Sequence, residues 1–233
     1  MVETSLHPHL QRIPGTEFVV IKGDTALSAW AMKSGDIRGE KYIRDLACVK
    51  ALKPGDLVID AGAFIGDTAI LFLDRGADVI AIEAYDDAFA ALEINCPTAR
   101  CIHAVVGDGK PMRATGRNVE GNKGNRGCST VENGGNALSL RIDDLDLAHV
   151  TAIKADVEGC EMKLLVGAAE TIRRCGPWIL IECYDAALKM QGTSRAQVLD
   201  WLWTEGYAIS VAIGRNSDGR VDYLCVSTHK PLI

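Results

Sequence analysis

No stretch of this 233-residue chain approaches the roughly 20 consecutive apolar residues that a bilayer-spanning helix needs. Its first residues, Met1-Val-Glu-Thr-Ser-Leu-His-Pro8, lack the basic and apolar regions of a secretory leader, so a cytoplasmic location away from membranes is expected. There is no basic surplus either. With 25 Lys and Arg against 31 Asp and Glu, the net charge of −6 argues against general affinity for nucleic acid, which needs a basic footprint. The eight cysteines (Cys48, Cys96, Cys101, Cys128, Cys160, Cys175, Cys183, Cys225) form no C-x-x-C pair and read as reduced core thiols. The five histidines show no metal-ligand spacing, His7 and His9 merely flanking Pro8. Asp143-Asp144-Leu145-Asp146 resembles metal-ligand material, but an aspartate ahead of a short helix is more simply a cap, and no metal is expected. Two nucleotide signatures are also missing. No G-x-G-x-x-G is present, because Asp60, Gly62 and Ile65 fill its three positions, and no Gly-Lys-Ser/Thr follows to make a phosphate loop.

What is present is an apolar strand that runs into a glycine turn and a helix start, Asp56-Leu-Val-Ile-Asp-Ala-Gly-Ala-Phe-Ile-Gly-Asp-Thr68, followed by a second strand with an acidic end, Val79-Ile-Ala-Ile-Glu83. Such a turn puts backbone N–H groups beside a ligand, and a carboxylate ending the next strand can chelate a ribose diol. The pair implies an adenosine-bearing cofactor. An acid at Asp60 would repel a pyrophosphate but can accept hydrogen bonds from an ammonium group, which selects S-adenosylmethionine: it carries a sulfonium and an ammonium and has no phosphate.

With 48% apolar residues the chain can bury one substantial core, and a single domain over 37–233 with an N-terminal extension over 1–36 is expected. From residue 37 onward strands and helices alternate, the pattern of a parallel sheet covered on both faces. Helices are predicted at 67–75, 86–95, 160–174 and 194–205, with Ile43, Leu46, Ala47 and Leu52 on one helical face before the first sheet strand. Strands are predicted at 57–60, 79–83, 101–106, 152–156, 178–182, 207–213 and 222–227. The last two are joined by the polar turn Gly214-Arg-Asn-Ser-Asp-Gly219 and should form an antiparallel hairpin. A preceding helix, a mostly parallel seven-stranded sheet and a closing antiparallel hairpin describe the α/β, Rossmann-like class I methyltransferase sandwich. Two regions depart from the alternation. Glu17–Lys22 and Ala26–Met32 suggest a hairpin around Gly23-Asp24 that caps the ligand crevice or extends the sheet. Residues 107–136, with eight glycines, five asparagines and the basic Arg113, Arg117, Lys123 and Arg126, read as a solvated loop or a lid.

Ligands of open α/β sheets bind outside the carboxyl ends of the strands. Asp60, Glu83, Asp156 and Glu182 each end a predicted strand, and Glu158 follows in the turn Asp156-Val-Glu-Gly159. A carboxylate among apolar walls can act as general base, while a solvated one mainly hydrogen-bonds the cofactor. Glu83 therefore reads as the ribose ligand, and Asp156, Glu158 and Glu182 as candidates for the acceptor.

Five segments in order, over roughly 40–183, give the chain its resemblance to the FkbM-type S-adenosylmethionine-dependent methyltransferases: Lys53-Pro-Gly-Asp-Leu-Val-Ile-Asp-Ala-Gly-Ala-Phe-Ile-Gly66, Val79-Ile-Ala-Ile-Glu-Ala84, Leu140-Arg-Ile-Asp-Asp-Leu145, Ile153-Lys-Ala-Asp-Val-Glu-Gly-Cys-Glu161 and Pro177-Trp-Ile-Leu-Ile-Glu182. The resemblance implies O-methylation with S-adenosylmethionine as cofactor. It implies that Gly62, Ala63, Phe64, Ile65, Gly66, Asp67 and Thr68 surround the methionine portion, with Asp60 beside them, and that Glu83, Ala84 and Tyr85 flank the ribose. Val106, Gly107 and Asp108 would approach adenine. Asp156, Glu158 and Glu182 would face the acceptor, with Asp156 also reaching the cofactor. The chain departs from the family pattern at Ala84, where proline is usual, and at Ile142, where leucine is usual; both changes keep the carboxylates. The implied partner is a small-molecule acceptor such as a sugar or polyketide-like metabolite, with no nucleic acid and no membrane, and a homo-oligomer is left open. A non-catalytic cofactor-binding subunit and N-methylation are the alternatives; a nicotinamide oxidoreductase is disfavoured by the glycine spacing.

Overall fold

The computed structural model describes residues 6–38, 41–118, 124, 129–135, 137–215 and 219–229. The chain opens with β1 (Leu10–Arg12) paired antiparallel to β2 (Val19–Ile21), then three short helices, α1 (Leu27–Ser34), α2 (Lys41–Asp45) and α3 (Ala47–Lys50). The alternating part begins with β3 (Leu57–Ala61), α4 (Ala69–Leu73), β4 (Asp78–Glu83), α5 (Asp86–Asn95) and β5 (Arg100–His103). Three further strands, β6 (Pro111–Asn118), β7 (Ser129–Asn133) and β8 (Ala137–Leu138), make a separate antiparallel sheet in the order β7-β6-β8. After a 3-10 turn at Ile142–Leu145 come β9 (Ala152–Ala155), α6 (Glu161–Gly167), α7 (Ala169–Cys175), β10 (Trp178–Tyr184), α8 (Asp185–Met190), α9 (Arg195–Thr204) and the hairpin β11 (Tyr207–Arg215) and β12 (Arg220–Ser227).

The main sheet has seven strands in the order β11-β12-β10-β9-β3-β4-β5. The run from β10 to β5 is parallel, β12 joins β10 antiparallel, and β11 and β12 pair antiparallel, as the hairpin expectation required. The strand order reverses between β3 and β9, and a doubly wound sheet opens its ligand crevice at such a switch point. Side chains alternate faces along each strand. Val58, Val79, Ala152 and Leu180 point into the cluster shared with α3, α4, α5 and the N-terminal strands, while Ile59, Ile82, Ile153 and Ile181 point into the cluster shared with α6, α7 and α9. No helix among the described residues is long and apolar enough to cross a membrane.

Several elements differ from the sequence expectation. Residues 27–34 are a helix and not the second strand of a hairpin. Asp24 turns the chain into it, its carboxylate accepting from the Ser28 amide at 2.7 Å, and β2 pairs with the upstream β1 instead. The N-terminal strands pack into the domain: Asn95 on α5 accepts from the Val19 amide at 2.8 Å and donates to the Val19 carbonyl at 2.9 Å. The glycine-rich stretch is not a plain loop, since its described residues pair as β6, β7 and β8; Lys123 and Arg126 lie outside the described residues. The helix expected over 160–174 breaks at Ala168 into α6 and α7. There a side chain on Gly167 would meet the Gly107 carbonyl 1.9 Å away, so the chain is pressed against the 107 turn. Asp143 does cap a helix, though a distant one: its carboxylate accepts from the Glu170 and Thr171 amides, at 3.3 and 2.8 Å, in the first turn of α7.

Candidate active site

The turn after β3 is tight for steric reasons. Gly62 has φ 75°, and a Cβ there would sit 1.8 Å from the Asp156 carbonyl, so only glycine lets the β3 turn and the β9 turn meet. Phe64 follows with φ 47°, an uncommon conformation for a bulky residue. Its amide donates to Glu83 Oε2 at 2.8 Å, which holds the turn against the end of β4. Glu83 Oε1 accepts from the Ala84 and Tyr85 amides at 2.8 and 2.9 Å. Burial pushes the Glu83 carboxyl up, against the lowering effect of these three amides. An ionised carboxylate offers about four acceptor positions. Three amides leave room for a ribose hydroxyl, so Glu83 fits the adenosine cofactor that the sequence implied. Asp67 and Thr68 are buried at the start of α4.

Asp60 is fully buried, and its partner comes from the neighbouring strand. Lys154, which the parallel register sets directly across from Asp60, brings its Nζ to 3.4 Å from Asp60 Oδ1, 3.7 Å from Asp156 Oδ2 and 2.9 Å from the Gly62 carbonyl that it donates to. The Asp60 carboxyl is pushed up by burial, with the Lys154 charge pulling the other way. The sequence reading assigned the cation at Asp60 to the ligand and missed Lys154. A lysine between Ile153 and Ala155 in an otherwise apolar strand was the available signal.

Asp156, Glu158 and Glu182 do converge: one carboxylate oxygen from each lies within 4.8 Å of the other two. A second cation that the sequence did not reveal joins them. Arg220, at the start of β12, reaches Glu158 at 3.3 Å and Glu182 at 3.1 Å, and its guanidinium lies 4.3 Å over the Tyr184 ring. On the same face Asp222 stands opposite Glu182 and accepts from the Tyr42 hydroxyl at 2.9 Å. Of the three acids Asp156 is the most open, its side chain 26% exposed against 9% for Glu158 and 2% for Glu182. Glu158 has φ 47°. The turn carrying it is held from below by Glu161, whose Oε1 accepts from the Val157 and Gly159 amides at 3.2 and 3.1 Å. Burial first, then the charges of Asp156 and Glu158, push the Glu161 carboxyl up to about 8, so near neutral pH it is mostly a neutral brace.

Val106, Gly107 and Asp108 follow the end of β5, and Asp108 lines a groove together with Gly159 of the Asp156 turn. β5 ends at His103, whose Nε2 lies 3.3 Å from the Ala84 carbonyl, and the Ala104 amide still donates to the Glu83 carbonyl at 3.0 Å. Val106 is buried in the cluster with α6, Gly107 abuts Gly167, and Asp108 lines a groove of about 310 Å3 with Lys110, Met162 and Lys163.

A glycine turn at the switch point of a mostly parallel seven-stranded sheet, a backbone-held carboxylate on the next strand and a closing antiparallel hairpin define the class I methyltransferase fold. Residues 60–209 match the methyltransferase FkbM domain, and the chain belongs to that family of methyltransferases. Its fold is similar to the methyltransferase FkbM of Methylobacillus flagellatus KT (TM-score 0.51, 18% identity), the likeness covering 72% of this chain and 43% of that one. This chain therefore spans less than half the length of that relative. It is also similar to Aeropyrum pernix fibrillarin, whose crystal structure holds natively bound S-adenosyl-L-methionine (TM-score 0.51, 13% identity, 93% of this chain and 84% of that one). No curated protein matches the chain. Family and fold thus agree with S-adenosylmethionine as the cofactor.

Proposed function

We propose that this chain transfers a methyl group from S-adenosylmethionine to a hydroxyl of a small molecule, such as a sugar or a polyketide-like metabolite. The observation that carries the reading is the direct contact of the Gly62 turn with the Asp156 turn, which leaves no space for a Cβ between them. A cofactor held along Gly62–Thr68 and at Glu83 would be adjacent to the acids that meet the acceptor. When bound, the cofactor supplies an electrophilic methyl group on a sulfonium, itself a good leaving group. The protein's own work is to hold an acceptor oxygen in line at near-attack distance and to take its proton.

Asp156 is the candidate base. It is the most open of the three acids, and its Oδ2 lies 3.7 Å from Lys154 Nζ. Glu158 and Glu182, tied by Arg220, form a charged wall that orients hydroxyl groups. The methyltransferase unit is assigned to 37–233, with 1–36 as an extension whose β2 is bonded to Asn95 of α5, and the setting is taken to be cytoplasmic, with no nucleic-acid or membrane partner. The test is incubation with labelled S-adenosylmethionine and a panel of hydroxylated and aminated metabolites. Label arriving on oxygen supports the reading. Label on nitrogen would move it to N-methylation, and tight cofactor binding with no transfer to any compound would make the chain a non-catalytic cofactor-binding subunit.

A further inference from the structure

A second cluster of ligating groups joins the N-terminal segment to the first turn of α5. His7 Nδ1 stands 3.4 Å from Asp87 Oδ1, and His9 Nδ1 stands 2.9 Å from Asp87 Oδ2. The two rings meet edge to face at 5.4 Å, and one ligand atom from each of the three residues lies within 4.8 Å of the others. Sequence spacing could not show this, because His9 and Asp87 are 78 residues apart.

The geometry points to a site for a divalent transition metal ion of the zinc class, held by His7, His9 and Asp87 and completed by water. Two imidazole nitrogens and one carboxylate oxygen are a donor set that suits zinc. Tetrahedral zinc with bonds of about 2.0–2.1 Å places its donors about 3.3 Å apart; His7 Nδ1 stands 3.4 Å from Asp87 Oδ1 and His9 Nδ1 2.9 Å from Asp87 Oδ2, so each imidazole already faces one oxygen of the carboxylate at close to that separation. The ligands are held before any ion arrives. The Leu10 amide donates to the His7 carbonyl at 2.8 Å, closing a turn around Pro8. The Lys22 amide donates to the His9 carbonyl at 2.8 Å, and Lys22 Nζ to the Pro8 carbonyl at 2.7 Å. Asp87 is fixed in the first turn of α5. The histidine side chains are 44% and 64% exposed, so an ion can enter and keep water in the remaining positions. Bound there, it would pin the N-terminal segment to the helix that follows Glu83-Ala84-Tyr85.

Calorimetric titration of the untagged chain with zinc chloride tests this without reference to methyl transfer. One ion per chain with micromolar or tighter affinity, accompanied by a rise in melting temperature, is expected. The His7→Gln/His9→Gln variant should bind at least tenfold more weakly, and Asp87→Asn should weaken binding independently. All three positions are solvent-accessible, and a melting curve of each variant without zinc establishes that it is folded. Absence of binding, or equal binding by wild type and both variants, overturns the site.

Discussion

The two halves of the carboxyl edge neutralise their buried acids differently. On the β4 side, Glu83 is satisfied by the amides of Phe64, Ala84 and Tyr85, all carried by the turns the strands themselves produce. On the β9 and β10 side, Asp60, Asp156, Glu158 and Glu182 depend on two side-chain cations, Lys154 and Arg220. Backbone donors cannot be mutated away and carry no net charge. A carboxylate held by them tolerates changes elsewhere, whereas one held by a buried guanidinium or ammonium is left exposed to a large electrostatic penalty when that single side chain is lost. The β4 side is therefore built for constancy, and the β9 and β10 side can be retuned by a few substitutions.

The sharpest break should come at Asp156. Asp156→Asn keeps the shape and loses the basicity, and turnover is expected to fall by about 100- to 10,000-fold with cofactor affinity within a few-fold of wild type. Steady-state kinetics with calorimetry would check this, and a matching loss of cofactor affinity would place Asp156 in the cofactor shell. Next in size is Arg220→Met, which takes the guanidinium away from Glu158 and Glu182 and should cost about 3–5 kcal/mol in urea unfolding. Adding Glu182→Gln should recover part of that loss; no recovery would mean the guanidinium acts mainly through its packing on Tyr184.

Glu83→Gln tests the other half. It should weaken S-adenosylmethionine binding by about 1.5–3 kcal/mol, the value of hydrogen bonds to a charged group, with a smaller change in stability than Arg220→Met. Unchanged affinity in a folded variant would sink the ribose assignment. The last test concerns Glu161. Its folded value of about 8 lies above the ordinary carboxyl value of 4.5, so the native state binds the extra proton. The stability tied to that proton is fully present below the unfolded value and is lost as pH rises toward 8, by at most about 1.4 kcal/mol per pH unit. Glu161→Gln should retain the hydrogen bonds from Val157 and Gly159 and show a flatter stability profile between pH 5 and 8. Identical slopes in urea titrations of the two proteins would show that Glu161 is not the titrating group.

Local patterns made much of the molecule legible. The β3 turn, the acidic end of β4, the α5 boundaries and the β11–β12 hairpin depend on strand period, glycine placement and turn residues within a few positions, and each is found where the sequence put it. Misreadings arose where remote groups decide. The Ala26–Met32 stretch is as apolar as a strand, but Asp24 caps it into a helix while β1 takes the pairing edge. The 107–136 region shows no periodicity because glycine and asparagine carry little, and its strands are recognisable only from each other's hydrogen bonds.

By itself, then, the sequence determined the strand order's raw material, the glycine turn, and which carboxylates end the strands, because these follow from side-chain period and backbone sterics. Tertiary structure alone decided how those charges are met. Lys154 faces Asp60 only through the parallel register of β3 and β9, Arg220 reaches Glu158 across 62 residues of chain, and His7 and His9 meet Asp87 only once β2, the partner of β1, packs on α5. A buried charge takes its partner from whatever the fold places within a few ångströms, and that proximity is set by strand register and packing rather than by separation along the chain.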